Sequence, residues 1–285
     1  MGDRMSRVRV FTNSVSDLSP EWAEKEGIIL IPDTIAFGEQ EQYLNNIDID
    51  PPALYRRLET AEALPKTSHP NIAQYIEAFS SVEEEVLCIC LTSRMSGSYN
   101  TACTAAKMMA EEGGHAPVTV VDSLQVSFGL ALLAVEAARM AAAGAGVAEI
   151  CRMLEEKKKR VGVYFAMESL QNARKGGRVG AIRVLAADLL KVKPLLMFRD
   201  GLVRDYGVVR GFDTALEKVI QRCCASAEPG GEIYVFHADR AELAEYVKGR
   251  LLAHDPTARV RIGWVGAVIG IYTGAGCVGM ACFEK

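Results

Sequence analysis

The sequence has no C-x-x-C pair among its eight cysteines, at 88, 90, 103, 151, 223, 224, 277 and 282, and only four scattered histidines. Neither residue type is spaced as a ligand set, which argues against a metal site. A phosphate-binding G-x-x-x-x-G-K-[ST] loop and a G-x-S-x-G elbow are also missing. Charge of one sign is scarce: 32 basic and 36 acidic residues leave a formal charge of −4, and no like-charged run exceeds "KKKR" at 157–160. That balance gives no general attraction to nucleic acid or to an anionic membrane. "KKKR" belongs to the charged stretch "LEEKKKR", which reads as a solvated helix face. The opening "MGDRMSRVRV" has no apolar signal-peptide core, and cysteines within apolar runs behave as small hydrophobes; both fit a reducing cytoplasm. Cys223 and Cys224 read as neighbours at a helix end. There is no fixed-period repeat and no low-complexity linker.

What is present is a large apolar fraction, 49% of 285 residues, enough for an extensive core in two units. From Gly263 to Phe283 no residue is charged, a span long enough for a bilayer. Six glycines interrupt it, so it reads better as buried strands "AVIGIYT" and "VGMACF" around a "GAG" turn than as a membrane helix.

Along the chain, apolar β-branched runs alternate with helical patterns. "VRVF" reads as a first strand and "TNSVSD" as a polar loop. Ser19-Pro20 reads as a helix cap and first position. "IILIPDTIAF" reads as a second strand, "PPALYRRLETAE" as a helix and "LPKTSHP" as a loop. "NIAQYIEAFSSV" is amphipathic, with Ile72, Tyr75, Ile76 and Phe79 on one face. Strands "VLCICL" and "VTVVDS" follow, each ending in a hydroxyl-rich turn, the second before a helix from about Gly129 to Ala142. Such alternation predicts a parallel sheet flanked by helices. Ligands of such sheets sit beyond the carboxyl ends of the strands, where "TNSVSD", "TSRMSGS" and "DSLQVSFG" lie. "TSHPN" starts a helix and joins them.

A second α/β unit is expected over 159–285, after a first over 1–158. Its strands are "GVYFAM", a "VKPLLMF"/"LVRDYGVVRG" hairpin around "RDG", "EIYVFHAD" and "ARVRIGWVG". Its helices are "SLQNARKGGRVG", ending in a basic glycine turn, "RVLAADLL", "DTALEKVIQRCCASA" and "AELAEYVKGRLLAH". His237 in "FHAD" reads as a lone buried histidine.

The stretch "LTSRMSGSYNTA", 91–102, puts small hydroxyls where a strand hands over to a helix. Ser96 can cap that helix, near Tyr99, and free N–H groups at a helix start also hold an anion. Gly97 permits close approach of a ligand. Capping explains Ser93 and Ser98 more simply, and Thr67 and Ser68 could also be caps ahead of Pro70.

Several motifs, in order over almost the whole chain, resemble the DegV family of bacterial fatty-acid-binding proteins. They are "FTNSVSDLS", "PKTSHPN", "LTSRMSGSYNTA", "VVDSLQVSFG", "KGGRVG", "LLKVKPLL" and "VVRG". The resemblance implies two α/β domains with a long-chain fatty acid in the cleft between them. It implies a carrier without chemistry or cofactor of its own, which presents the acid to a partner fatty acid kinase for acyl-phosphate formation. It places the carboxylate near Thr67, Ser68, Ser93, Ser96 and Gly97. Arg210 in "VVRG" falls near the head group and the kinase-facing surface, and Arg178 in "KGGRVG" is expected chiefly to steady the turn between domains.

Three positions depart from the family pattern. Asn13 stands for an aspartate, His69 for a glutamine, and Tyr272, in "IYTGAG", for a histidine. Tyrosine donates a hydrogen bond but carries no positive charge, a change that lipid binding tolerates better than phosphate transfer. Two other readings compete: a hydrolase using the 93–98 serines, and a phosphate- or nucleotide-binding protein by analogy with dihydroxyacetone kinases. No histidine is obviously placed as a base for the first, and the second rests on fold analogy alone.

Overall fold

The computed structural model describes residues 8–61, 63–179, 182 and 192–285. The first half runs β1 (Val8–Asn13), α1 (Pro20–Lys25), β2 (Ile28–Ile31), β3 (Thr34–Phe37), β4 (Glu41–Leu44), α2 (Pro51–Thr60), β5 (Lys66–Ser68), α3 (Ile72–Ser80), β6 (Glu85–Cys90), α4 (Ser98–Glu112), β7 (Val118–Asp122), α5 (Ser127–Ala142) and α6 (Val147–Lys157). The second runs β8 (Val161–Ala166), α7 (Gln171–Lys175), β9 (Val192–Arg199), β10 (Leu202–Arg210), α8 (Phe212–Ser226), β11 (Glu232–His237), α9 (Ala241–His254), β12 (Arg259–Trp264), α10 (Ala267–Thr273) and β13 (Val278–Phe283). The expected helix "RVLAADLL" lies outside the described residues.

Strands β2-β1-β6-β7 form a fully parallel sheet, and β10-β9-β8-β13-β11-β12 a mixed one. The fold is α/β, as the alternation predicts. In β6, "EVLCIC" is buried at every position after Glu85, the signature of a strand covered on both faces. Helix α5 is buried from Ser127 through Val135 and packs against strands of both sheets, which is why its sequence is apolar all round. Its Phe128 ring stacks on Phe236 at 5.7 Å and meets Trp22 at 6.2 Å. One hydrophobic core therefore runs from the first sheet into the second. Beside it, Arg139 of α5 forms ion pairs with Glu26 and Glu232, tying the two halves at a partly buried spot.

Local signals hold where expected. Ser19 caps α1 by accepting from the Trp22 N–H, with Pro20 at the first position. The Asp200-Gly201 hairpin turn has positive φ at both residues, as the two-residue turn requires. His237 is buried, its ring 4.3 Å from that of Trp264, and burial lowers its pKa. "KKKR" closes α6 and makes one tight turn into β8, with Lys158 and Arg160 paired to Glu155 and Glu228.

Three elements differ from the sequence reading. "IILIPDTIAF", expected as one strand, is two: β2 joins the parallel sheet and β3 a small antiparallel sheet, β4-β3-β5. Pro32 has no N–H for a ladder, and the Asp33 carboxyl and N–H are both taken by Ser14, which turns the chain. "LPKTSHP", expected as a loop, contains strand β5, paired with β3 at Thr34–Ser68 and Ile35–Thr67. "AVIGIYT", expected as a strand, is helix α10. Its buried residues Ala267, Val268, Gly270 and Ile271 follow helical spacing, and a Cβ on Gly270 would stand 2.5 Å from the Tyr55 hydroxyl. Close packing on α2 thus selects helix over strand. No described helix is long and apolar enough to cross a membrane.

Candidate functional site

Three turns leave the carboxyl edge of the parallel sheet: 14–17 after β1, 91–97 after β6 and 123–127 after β7. Together with β5 they close one end of a cavity of about 360 Å³, within the range of small-molecule sites. The other end is apolar. Val163 and Phe165 of β8, Phe198 of β9, Phe236 of β11 and Val268 and Ile269 of α10 line it.

At the polar end the Thr67 and Tyr272 hydroxyls are hydrogen-bonded at 2.7 Å. Thr67 is presented by β5, so the unexpected strand fixes its position. Tyr272 is presented by α10, the unexpected helix. The Arg178 guanidinium lies 5.2 Å from the Tyr272 ring centre. Gly176 lets that ring seat: a Cβ there would meet it at 2.5 Å, although the backbone at Gly176 is unstrained. Tyr272 supplies a neutral hydroxyl, and Arg178 stands beside it with the fixed positive charge that the phenol lacks.

Ser96 and Gly97 form the adjoining wall, ahead of α4. Ser96 Oγ accepts from the Ser98 N–H at 3.1 Å, so its hydroxyl proton is left to donate elsewhere. The helix begins at Ser98, one residue earlier than the sequence suggests, so Gly97 and not Ser96 holds the cap position and no side chain caps it. The His69 ring packs against Gly97, where a Cβ would come within 3.0 Å of it, and its Nε2 is bonded to Thr101 Oγ1 at 3.0 Å. Capping of α3 is done by Asn71 in a capping box with Gln74. Thr67 and Ser68 are therefore free of that task, and both line the cavity.

Two candidate residues lie away from this wall. Ser93 is outside the lining; its N–H donates to the Asp122 carboxylate. Arg210 is exposed at the end of β10, paired across the hairpin with Val192. Ser98 Oγ is buried against the Tyr75 hydroxyl at 2.6 Å, and that hydroxyl accepts from Asn13 Nδ2. Asn13 thus belongs to a buried hydrogen-bond chain and not to a cleft edge. Among the described residues, none of the 93, 96 and 98 hydroxyls is bonded to a histidine, so the serine cluster lacks a base. No group of three metal-ligating side chains occurs among the described residues.

The polar end also holds acids that the motifs do not reveal. Asp33 lines the cavity and Asp17 stands behind Ser127, whose Oγ donates to it at 2.5 Å. Burial pushes the Asp33 carboxyl up to about 7 and Asp17 up to about 8. Burial likewise pushes the Cys277 thiol up to about 12. An aspartate inside the apolar run "IILIPDTIAF" was the available signal for Asp33. The aromatic wall had none, because strand residues facing a cavity and those facing a core read alike.

The family model described as "Uncharacterised protein, DegV family" matches residues 7–285. A DegV domain-containing protein of Halalkalibacterium halodurans is 31% identical over 98% of this chain and 99% of its own length. The crystal structure of DegV, a fatty acid binding protein from Bacillus subtilis, matches with a TM-score of 0.87 at 28% identity over 98% of this chain and 99% of that one. The Streptococcus pneumoniae fatty acid kinase (Fak) B3 protein, solved loaded with linoleic acid, shares the fold alone: TM-score 0.83 at 16% identity, over 98% and 99% of the two chains. By family match, relatives and fold, the chain belongs to the DegV family.

Proposed function

We propose that this chain binds one long-chain fatty acid, carboxylate at the Thr67–Tyr272–Ser96 end and tail along Phe165, Phe198 and Phe236. The units 1–158 and 159–285 then supply the polar and apolar walls respectively, with α10 and Arg178 reaching across to the head group. The observation that carries the reading is the paired Thr67 and Tyr272 hydroxyls at the polar end of a cavity whose remaining wall is largely apolar. A carboxylate in such surroundings must be hydrogen-bonded, and hydroxyls with helix-start N–H groups do this without a fixed charge. Each hydrogen bond to the charged group contributes about 1.5–3 kcal/mol, and each tail methylene removed from water about 0.8 kcal/mol. The tail therefore supplies most of the affinity and the head fixes the direction of entry.

The protein acts as a carrier. It presents the carboxylate to a partner fatty acid kinase, which phosphorylates it to an acyl phosphate. This part of the reading is supported by the fold shared with the Fak B3 protein and by Arg210, an exposed cation with no ion pair among the described residues. The test is direct. Organic extraction of the purified protein, followed by mass spectrometry, should yield one fatty acid per chain. A lipid-free protein that also ignores added oleate or palmitate in a titration overturns the reading.

A further inference from the structure

Asp33 is an acid where a carboxylate-binding cavity should not tolerate one. It is 4% exposed and lines the cavity. Its neighbour Thr34 pairs across the small sheet with Ser68, so Asp33 stands at the polar end and not along the tail. Ser14 Oγ donates to its Oδ2 at 3.0 Å. That hydroxyl also accepts from the Asp33 N–H and from Asn45 Nδ2, both at 2.9 Å, so it is fully used. No ion pair to Asp33 occurs among the described residues. A second buried acid, Asp17, is near enough for the Asp33 charge to raise its pKa.

We infer that Asp33 makes ligand binding proton-linked: the cavity accepts an anionic head group together with one proton on the Asp33 carboxyl. The inference rests on the fatty-acid reading above and adds to it. Two like charges sharing a water-poor site cannot both persist, and the cheaper way out is for one to take a proton. The proton comes from solvent on binding and returns there on release, and no bond other than its O–H is made or broken. An Asp33 carboxyl lifted to about 7 by burial is poised for this near neutral pH. The other titratable or charged groups facing the cavity are His69 beyond β5, Arg178 after α7, Tyr272 on α10 and Cys277 before β13, with Asp17 behind Ser127.

The experiment is isothermal titration of the delipidated full chain with oleate, in phosphate and in Tris, whose ionisation enthalpies differ widely. At pH 7 a group titrating near 7 is half ionised, so uptake approaching about half a proton per oleate is expected, rising at pH 8. Affinity should fall several-fold between pH 6.5 and 8.5. In Asp33→Asn the uptake should vanish and the affinity should become nearly independent of pH. The wild-type measurement needs no variant, so the inference stays testable if Asp33→Asn folds poorly. Wild type that binds oleate with no proton exchange overturns this inference alone. Uptake kept in Asp33→Asn but lost in His69→Gln also overturns it, assigning the proton to the imidazole. Wild type that binds no oleate overturns the fatty-acid reading and this one with it.

Discussion

Thr67 and Tyr272 are separated by 205 positions in the chain, yet their hydroxyls meet at 2.7 Å. One comes from a three-residue strand of the first half, the other from a seven-residue helix near the end. A hydrogen bond thus joins the two halves at the polar end of the cavity. In either direction it leaves one hydroxyl proton free to point at a ligand.

Removing that link tests it. Tyr272→Phe keeps the ring beneath Arg178 and deletes the phenol oxygen. Oleate affinity should fall about fivefold, for the loss of roughly 1 kcal/mol of net hydrogen bonding. The melting temperature should move by no more than a few degrees. Unchanged affinity would make Tyr272 a packing residue only.

Gly176 tests the same seat from below. Gly176→Ala places a methyl 2.5 Å from the Tyr272 ring, at a backbone φ of −81° that alanine adopts without strain. The ring must shift, so oleate binding should weaken at least as much as in Tyr272→Phe. Overpacking of this kind costs about 1–3 kcal/mol in stability. An alanine variant with wild-type affinity would show that the ring position does not matter for the ligand.

Ser96→Ala separates anion binding from support of the turn ahead of α4. The Ser98 N–H loses its acceptor in the turn ahead of the helix, a net loss of about 1 kcal/mol. A hydrogen bond to the bound carboxylate is also lost, worth about 1.5–3 kcal/mol, or roughly a ten- to hundredfold drop in affinity. A lowered melting point with unchanged affinity would leave Ser96 as a turn residue alone.

Asp17 makes stability depend on pH, with a sign fixed by burial. Its folded-state pKa of about 8 lies above the ordinary 3.8. The folded chain therefore holds a proton that the unfolded chain has lost across that window. Stability falls as pH rises from about 4 to 8, and Asp33 adds to the slope up to about 7. Asp17→Asn should flatten the decline. Asparagine accepts from Ser127 as the carboxyl does and tolerates the left-handed backbone found there, φ 61°. Melting curves at pH 5 and pH 8.5 check this; equal declines in both proteins would refute it.

Arg139→Leu should destabilise, because the nearly buried Glu26 and Glu232 carboxylates would keep only their longer pairs to Arg261, at 3.4 and 4.0 Å. Breaking a buried pair costs about 3–5 kcal/mol, and the partial exposure of Arg139 and the remaining Arg261 bring the expectation to about 1–2 kcal/mol. Chemical denaturation measures it, and a loss under about 0.5 kcal/mol would mean the network is solvated.

The sequence by itself determined the features that a few neighbouring residues decide. Continuous apolar runs made β6 and β8 buried strands, and "LTSRMSGS" marked the turn that opens α4. Ser19-Pro20 started α1, and Asp200-Gly201 turned the hairpin. Each depends on local backbone preference or on capping within three or four residues. The motif order likewise pointed to the family. Only the tertiary structure decided the rest, because those choices depend on partners far away in the chain. Pro32 and Ser14 split "IILIPDTIAF" between two sheets. Tyr55, more than two hundred positions before Gly270, made "AVIGIYT" a helix. The pairing of Thr34 with Ser68 turned an apparent loop into the strand that presents Thr67. Burial made Asp17 and Asp33 unusual acids, and burial is a property of everything packed around a residue, which no local pattern of charge or spacing encodes.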